Sequence, residues 1–157
     1  MPNWCSNSIH ISGPKDKIVA LWEKAKEKEG LLEAMAPIGD WDYGEACQSW
    51  GTKWDISLEA LDLEVDGDTA SIRGAADSAW SPPTDAFAFY CGLNEDVTAE
   101  LWYFEPGVGF AGKWDNENGD DFYDIDTDNL DEIPQEIREE FDIDSWYVDE
   151  ELNEDEI

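Results

Sequence analysis

The last quarter of the chain, residues 115–157, leaves few folded arrangements open. It holds twenty Asp and Glu against a single basic residue, Arg138, a net charge of −19. Yet Phe122, Tyr123, Ile125, Leu130, Ile133, Ile137, Phe141, Ile143, Trp146, Tyr147 and Val148 recur through it, up to the closing Glu154-Asp155-Glu156 run. Acidic disordered tails are poor in such residues, because without apolar burial nothing offsets the entropy of ordering. The combination predicts a folded surface, apolar on one side and densely negative on the other.

Charge falls off toward the other end. Residues 31–114 carry a net −13 and residues 1–30 a net +1, for a total of −31. A molecule with this balance repels nucleic acid and anionic membranes and attracts a basic protein surface at low salt. Solubility or adaptation to a salty cytoplasm would also favour acidity, but neither explains nine Trp or the lopsided distribution. At 157 residues the chain suits one domain with a real core. Cys5, Cys47 and Cys91 are an odd, widely spaced set, which predicts buried thiols in a reducing compartment. Met1-Pro2-Asn3-Trp4 lacks a basic, then apolar, leader, and no run approaches a membrane-spanning length. The expectation is a cytoplasmic protein with no membrane partner.

Residues 4–12 alternate Cys5, Asn7, Ile9 and Ile11 against Trp4, Ser6, Ser8 and His10, the pattern of a half-buried strand. Ser12-Gly13-Pro14 then opens a helix, with Ile18, Val19, Leu21, Trp22 and Ala25 at helical spacing and Gly30 placed to end it. Residues 31–53 read as a loop with a short helical piece near Gly44–Ser49. Trp54, Ile56 and Leu58 alternate, and Leu61, Leu63 and Val65 alternate in shifted register, predicting a strand with a bulge or break near Ala60. Asp66-Gly67-Asp68 is a hairpin turn and Thr69–Ala76 the returning strand. A second helix follows over about Asp85–Gly92, then a strand over Val97–Phe104. Phe110–Trp114 and Phe122–Ile125 form a hairpin around Asn116–Gly119, and a short helix lies near Pro134–Phe141. The order strand, helix, strand, strand, helix, strand predicts an α+β fold of ferredoxin-like type: an antiparallel sheet with helices on one face. A hairpin and an acidic C-terminal helix are added to it. The expected division is a ferredoxin-like domain over 1–115 and an acidic extension over 116–157, packed on the same domain.

Four strings carry a resemblance. They are Met1-Pro2-Asn3-Trp4-Cys5-Ser6-Asn7 with Gly13-Pro14, then Trp50-Gly51-Thr52-Lys53-Trp54-Asp55, then Ala79-Trp80-Ser81-Pro82-Pro83, then Tyr103-Phe104-Glu105-Pro106-Gly107 with Phe110-Ala111-Gly112. In this order the chain, over about residues 1–115, resembles the YubB-type ferredoxin-like proteins of phages and conjugative plasmids. One departure is Asp77-Ser78 before Ala79-Trp80, where the family pattern has Thr-Ala-Trp-Ser-Pro-Pro. The resemblance implies a mobile-element protein with a ferredoxin-like fold. It brings no activity and no catalytic residues, and it does not extend to the acidic stretch.

Most site chemistries find no constellation here. A zinc site needs clustered Cys and His, and the chain has one His, His10, and no close Cys pair. Asp115 to Asp120 lacks the ligand spacing of a calcium loop, and Asp126 stands where its glutamate belongs. No Ser or Cys is marked as a partner for His10, and Gly107-Val108-Gly109 lacks the third Gly and the Lys of a phosphate loop. No metal or cofactor is expected. Carboxylates near tryptophans could describe a sugar cleft, though with 40 acids and nine Trp chance proximity is unavoidable.

What remains is the spacing of the acids. Asp62, Glu64, Asp66 and Asp68 alternate, as do Asp120, Asp124, Asp126 and Asp128 with one gap. Alternate strand residues stand roughly 6.6 Å apart on one face, and a DNA strand carries one charge about every 3.4 Å of rise, so an acidic strand can approximate a phosphate row. A solvated face alternating with a buried one yields the same spacing. The expected partner-binding set is Asp62, Glu64, Asp66, Asp68, Asp115, Glu117, Asp120, Asp121, Asp124, Asp126, Asp128, Asp131, Glu132, Glu136, Glu139 and Glu140. The expected partner is a basic nucleic-acid-binding host complex, a CRISPR effector or restriction enzyme, inhibited without catalysis and without direct nucleic-acid binding. Two rival expectations are an adaptor that meets a host regulator through Trp-rich loops (Trp50, Trp54, Trp80) and a carboxylate-dependent enzyme acting on a sugar or nucleotide.

Overall fold

The computed structural model describes residues 3–126 and 128–146; what the sequence suggests for Met1, Pro2, Tyr147, Val148 and Glu154-Asp155-Glu156 lies outside the described residues. Six strands form one sheet: β1 (Trp4–Pro14), β2 (Leu61–Asp66), β3 (Thr69–Ala79), β4 (Thr98–Glu105), β5 (Phe110–Asp115) and β6 (Gly119–Asp124). Their order is β2-β3-β1-β4-β5-β6, and every neighbouring pair is antiparallel. Five helices accompany them: α1 (Lys15–Lys28), α2 (Leu31–Met35), α3 (Tyr43–Trp50), α4 (Thr84–Leu93) and α5 (Gln135–Glu140). The chain is thus α+β with an antiparallel sheet.

The sheet has a core on each face. Ile9, Ile11, Leu61, Ile72, Ala99, Leu101 and Trp114 meet Ile18, Leu21, Leu31, Leu32, Trp50 and Phe87 of α1–α4. Phe104 and Ala111 belong to the opposite face, since odd sequence offsets invert direction on a strand. There they meet Ile125, Ile133, Ile137 and Ile143, which hold residues 125–143 on the sheet. β5 and β6 pair from Phe110↔Asp124 to Asp115↔Gly119, so the sheet runs unbroken through residue 115.

Three local readings change. α1 ends on Glu29 in the left-handed conformation (φ 59°), not on Gly30. Gly30 is extended, and its missing side chain leaves room for the Asp55 carboxylate, which a Cβ would strike. That carboxylate accepts the amide N–H groups of Leu32 (2.6 Å), Glu33 (3.0 Å) and Ile56 (2.7 Å), tying down the start of α2. α2 falls in the stretch read as a loop; its five residues are too few to show a period, and four of them are buried.

The alternation of Trp54, Ile56 and Leu58 does not form a strand. Ile56 N–H goes to Asp55 and Ile56 C=O accepts Leu31 N–H at 3.0 Å, so these groups serve the α2 entrance and not a ladder. The break near Ala60 is a 3-10 turn over Leu58–Ala60, and β2 starts at Leu61. That turn crosses β3 at Gly74 (φ 157°), where a Cβ would meet the Ala60 carbonyl.

Candidate functional site

Strand register divides the acids expected to bind a partner into two sets. Asp62, Glu64 and Asp66 are exposed on β2, one edge of the sheet, and share the face opposite α1–α4. Asp68 is exposed in the following turn, where its backbone carbonyl accepts Lys15 N–H at 2.8 Å. Asp120, Asp121 and Asp124 lie on β6, the other edge, five strand intervals or roughly 24 Å away. Asp120 and Asp124 share one face with Phe122, while Asp121 takes the other beside Tyr123. Asp131 and Glu132 lie in a 3-10 turn, and Glu136, Glu139 and Glu140 on α5; all five are exposed.

The second set is the denser. Residues 115–146 hold fourteen carboxylates against Arg138. That guanidinium binds Asp144 with two hydrogen bonds, at 3.0 and 2.9 Å, so it leaves little charge for the rest. Beside it, the Asp144 carboxyl is held below the usual carboxylate range. The five lysines of α1 sit far from this end, over β3, β1 and β2. Among the described residues four ion pairs form: Lys17–Asp96, Lys26–Glu23, Arg73–Glu64 and Arg138–Asp144. Most carboxylates of the described residues therefore have no ion-pair partner, and among those residues the lysines of α1 and the acids of 115–146 lie toward opposite ends of the sheet.

Some of these acids also serve the fold. Asp115 accepts Glu117 N–H (2.9 Å), Asn118 N–H (2.6 Å) and the Asn118 side-chain amide, shaping the β5–β6 turn. Burial raises its pKa, and the hydrogen bonds together outweigh that and lower it. Asp120 accepts the Tyr103 hydroxyl at 2.6 Å; burial first, and then this carboxylate, pushes the phenol up. Asp126 accepts Asp128 N–H at 2.8 Å, and Glu139 accepts the Gln135 side-chain amide at 2.7 Å. Asp62, Asp66 and Asp121 are exposed on their strands.

The sheet face opposite α1–α4 carries a row that sequence spacing does not show. Register sets Asp62 beside Arg73, Arg73 beside His10, His10 beside Glu100 and Glu100 beside Asp115, one ionisable residue on each of five strands. Ser12, Ser71 and Thr98 lie next to it, lining with His10, Arg73 and Glu64 an open hollow of about 420 Å³. Only the pairing of distant segments could reveal this row.

The two buried thiols are poor nucleophiles. Burial pushes Cys5 up to about 12 and Cys91 up to about 11, so little thiolate exists at neutral pH. All three cysteines are free. Among the described residues no three His, Cys, Asp or Glu are grouped so as to hold a metal ion, and no helix is long and apolar enough to cross a membrane. Among the described residues Glu105 is the one carboxylate residue that is almost fully buried; it accepts Gly107 N–H (2.7 Å) and Val108 N–H (2.6 Å) and so shapes the β4–β5 loop.

Among the tryptophans, Trp50 is buried and donates its Nε1–H to the Ala36 carbonyl at 2.8 Å. Trp102 is half-buried under Lys113, whose Nζ stands 4.8 Å from its ring. Trp54 and Trp80 are exposed instead. With Trp4, Trp41 and Tyr43 they leave the start of β1, the two ends of the α3 segment and the end of β3 aromatic on the outside.

No family model and no curated protein matches the chain. A similarity is found to the crystal structure of protein api92 from Yersinia pseudotuberculosis, of the DUF1281 family, at 18% identity and a TM-score of 0.35. It covers 54% of this chain and 30% of that one, so the chain spans less than a third of that protein's length. At that level the likeness bears on neither fold nor function.

Proposed function

We propose that this protein is a non-enzymatic inhibitor carried by a phage or plasmid, and that its acidic end occupies the basic nucleic-acid channel of a host CRISPR effector or restriction enzyme in the bacterial cytoplasm. In this reading residues 1–115 are a ferredoxin-like unit of the YubB type, and the acidic C-terminal part is an addition to it. The order β2-β3-β1-β4, with α1 to α3 between β1 and β2 and α4 between β3 and β4, supports the ferredoxin-like part.

One observation carries the functional reading. Residues 125–143 of the acidic segment are docked, with Ile125, Ile133, Ile137 and Ile143 buried on Phe104 and Ala111, so among the described residues the carboxylates of this part are presented by a scaffold. A pre-ordered array loses less entropy on binding than a tail that must fold first. Lysines and arginines of a nucleic-acid channel would exchange their phosphates, with counterion release, for these carboxylates. The β6 and α5 acids form the main cluster, with Asp121 on the α5 side of the sheet and Asp120 and Asp124 on the other, and the β2 acids lie nearer the α1 lysines.

The test is inhibition and its charge dependence. The protein should compete with DNA for a purified basic nuclease complex, with affinity falling steeply as salt rises. Changing Asp120, Asp121, Asp124 and Asp126 together to Asn should weaken binding at least tenfold, whereas each single change should cost no more than about threefold. A protein that retains nothing from host lysate and leaves nuclease and CRISPR activity intact is not such an inhibitor.

A further inference from the structure

The aromatic end is built around one cation. Trp4, Trp41, Tyr43 and Trp54 are 44%, 52%, 60% and 38% exposed. They come from separate places: Trp4 opens β1, Trp41 precedes α3, Tyr43 opens α3, and Trp54 follows Lys53 in the segment after α3. The Trp54 ring lies 6.0 Å from that of Trp4. The Trp41 indole N–H donates to the Lys53 carbonyl at 2.9 Å. The Lys53 ammonium stands 4.6 Å from the Trp54 ring and 5.8 Å from the Tyr43 ring, so two π faces converge on one positive charge.

The arrangement is braced from behind. Thr52 Oγ1 donates to the Ala79 carbonyl at 2.8 Å, Ser81 Oγ donates to the Gly51 carbonyl, and Trp80 N–H donates to the Asn3 carbonyl at 2.8 Å. Trp80 is held at φ 72°, a conformation that a bulky side chain rarely adopts. Asp40 and Asp42 are exposed beside Trp41 and Tyr43. No other basic residue occurs between Lys28 and Arg73.

We infer that this end is a second docking surface, which receives an arginine side chain of a protein partner between Tyr43 and Trp54 in place of Lys53. Lys53 already shows that the two rings accept a cation, and the flanking carboxylates and the −31 net charge favour another one. A guanidinium suits the place better than an ammonium, being flat, weakly hydrated and able to stack on both rings. A nucleobase would stack as well, but its phosphates are repelled. The inference rests on the basic-partner reading above for the sign of the partner's charge, and adds a different face and a side-chain preference.

Hexa-arginine, hexa-lysine and hexa-citrulline peptides, followed by fluorescence anisotropy at about 0.15 M salt, test it. The ratio of arginine to lysine affinity should fall about three- to fivefold in Trp54→Leu and in Tyr43→Leu. Lys53→Ala, which vacates the place, should bind hexa-arginine about twofold to threefold tighter even though it removes only one charge. The fourfold Asn change at Asp120, Asp121, Asp124 and Asp126 should weaken both charged peptides and leave the ratio alone. An unchanged ratio in both ring variants, or weaker arginine binding by Lys53→Ala, overturns this inference and spares the acidic-inhibitor reading. Charged peptides that bind wild type no better than hexa-citrulline overturn both.

Discussion

A carboxylate in this chain either holds the fold or faces water, and sequence spacing does not tell which. Asp55 holds the start of α2 through three backbone amides. Asp55→Ala should cost about 2 kcal/mol, read from urea unfolding. Burial pushes the Asp55 carboxyl above the usual range despite those amides. The folded chain therefore favours its protonated form, and that contribution is complete below the ordinary carboxylate pKa and lost as pH rises through the raised one. Asp55→Asn should accordingly show a flatter stability profile than wild type on going from acid to neutral pH. Asp144, held low by Arg138, works in the opposite sense: its stabilisation is present above the ordinary value and lost as pH falls through the lowered one. Within the expected binding set, Asp115 and Asp120 already accept internal hydrogen bonds. Nothing in the strings around them separates these two from Asp121, because their donors Asn118 and Tyr103 are brought in by a turn and by a neighbouring strand.

At the scale of elements, the acids of β2 and β6 have a second physical role. Both strands are sheet edges, and charges on an edge oppose pairing with another chain. On β2, Asp62, Glu64 and Asp66 accompany Val65, which is 50% exposed. Changing the three acids to Thr should promote self-association, visible by sedimentation velocity, with little loss of the proposed binding to a basic partner if the β6 and α5 acids carry it. Loss of binding in a variant that stays monomeric would instead place β2 in the interface. α5 depends on Ile137, and Ile137→Ala should cost about 3 kcal/mol and speed amide exchange over residues 130–146. Long elements were legible from period alone: β1 by alternation, α1 by its apolar stripe, and β2–β3 by the Asp66-Gly67-Asp68 turn. α2 was not, since one helical turn shows no period. Residues 54–58 alternate as a strand does, yet their backbone groups are taken by Asp55 and Leu31.

For the molecule as a whole, charge sets the balance. With a net −31 and four ion pairs among the described residues, self-repulsion opposes compactness. The thermal midpoint should rise as salt goes from low to physiological, because screening relieves that repulsion, while association with a basic partner weakens over the same range. A midpoint that falls with salt would mean that attractive pairs dominate the folded state. The amino-acid sequence by itself determined the sign and gradient of the charge, the alternation that makes strands, and the presence of apolar anchors in an acidic stretch. These are local properties, carried by composition and by periods of two or 3.6 residues. Tertiary structure alone decided that the acids divide between two sheet edges, that His10 stands in a row of charges across five strands, and that Tyr43 and Trp54 enclose Lys53. Each of those depends on strand register or loop closure between segments far apart in the chain, where a one-residue slip would send the side chain to the other face.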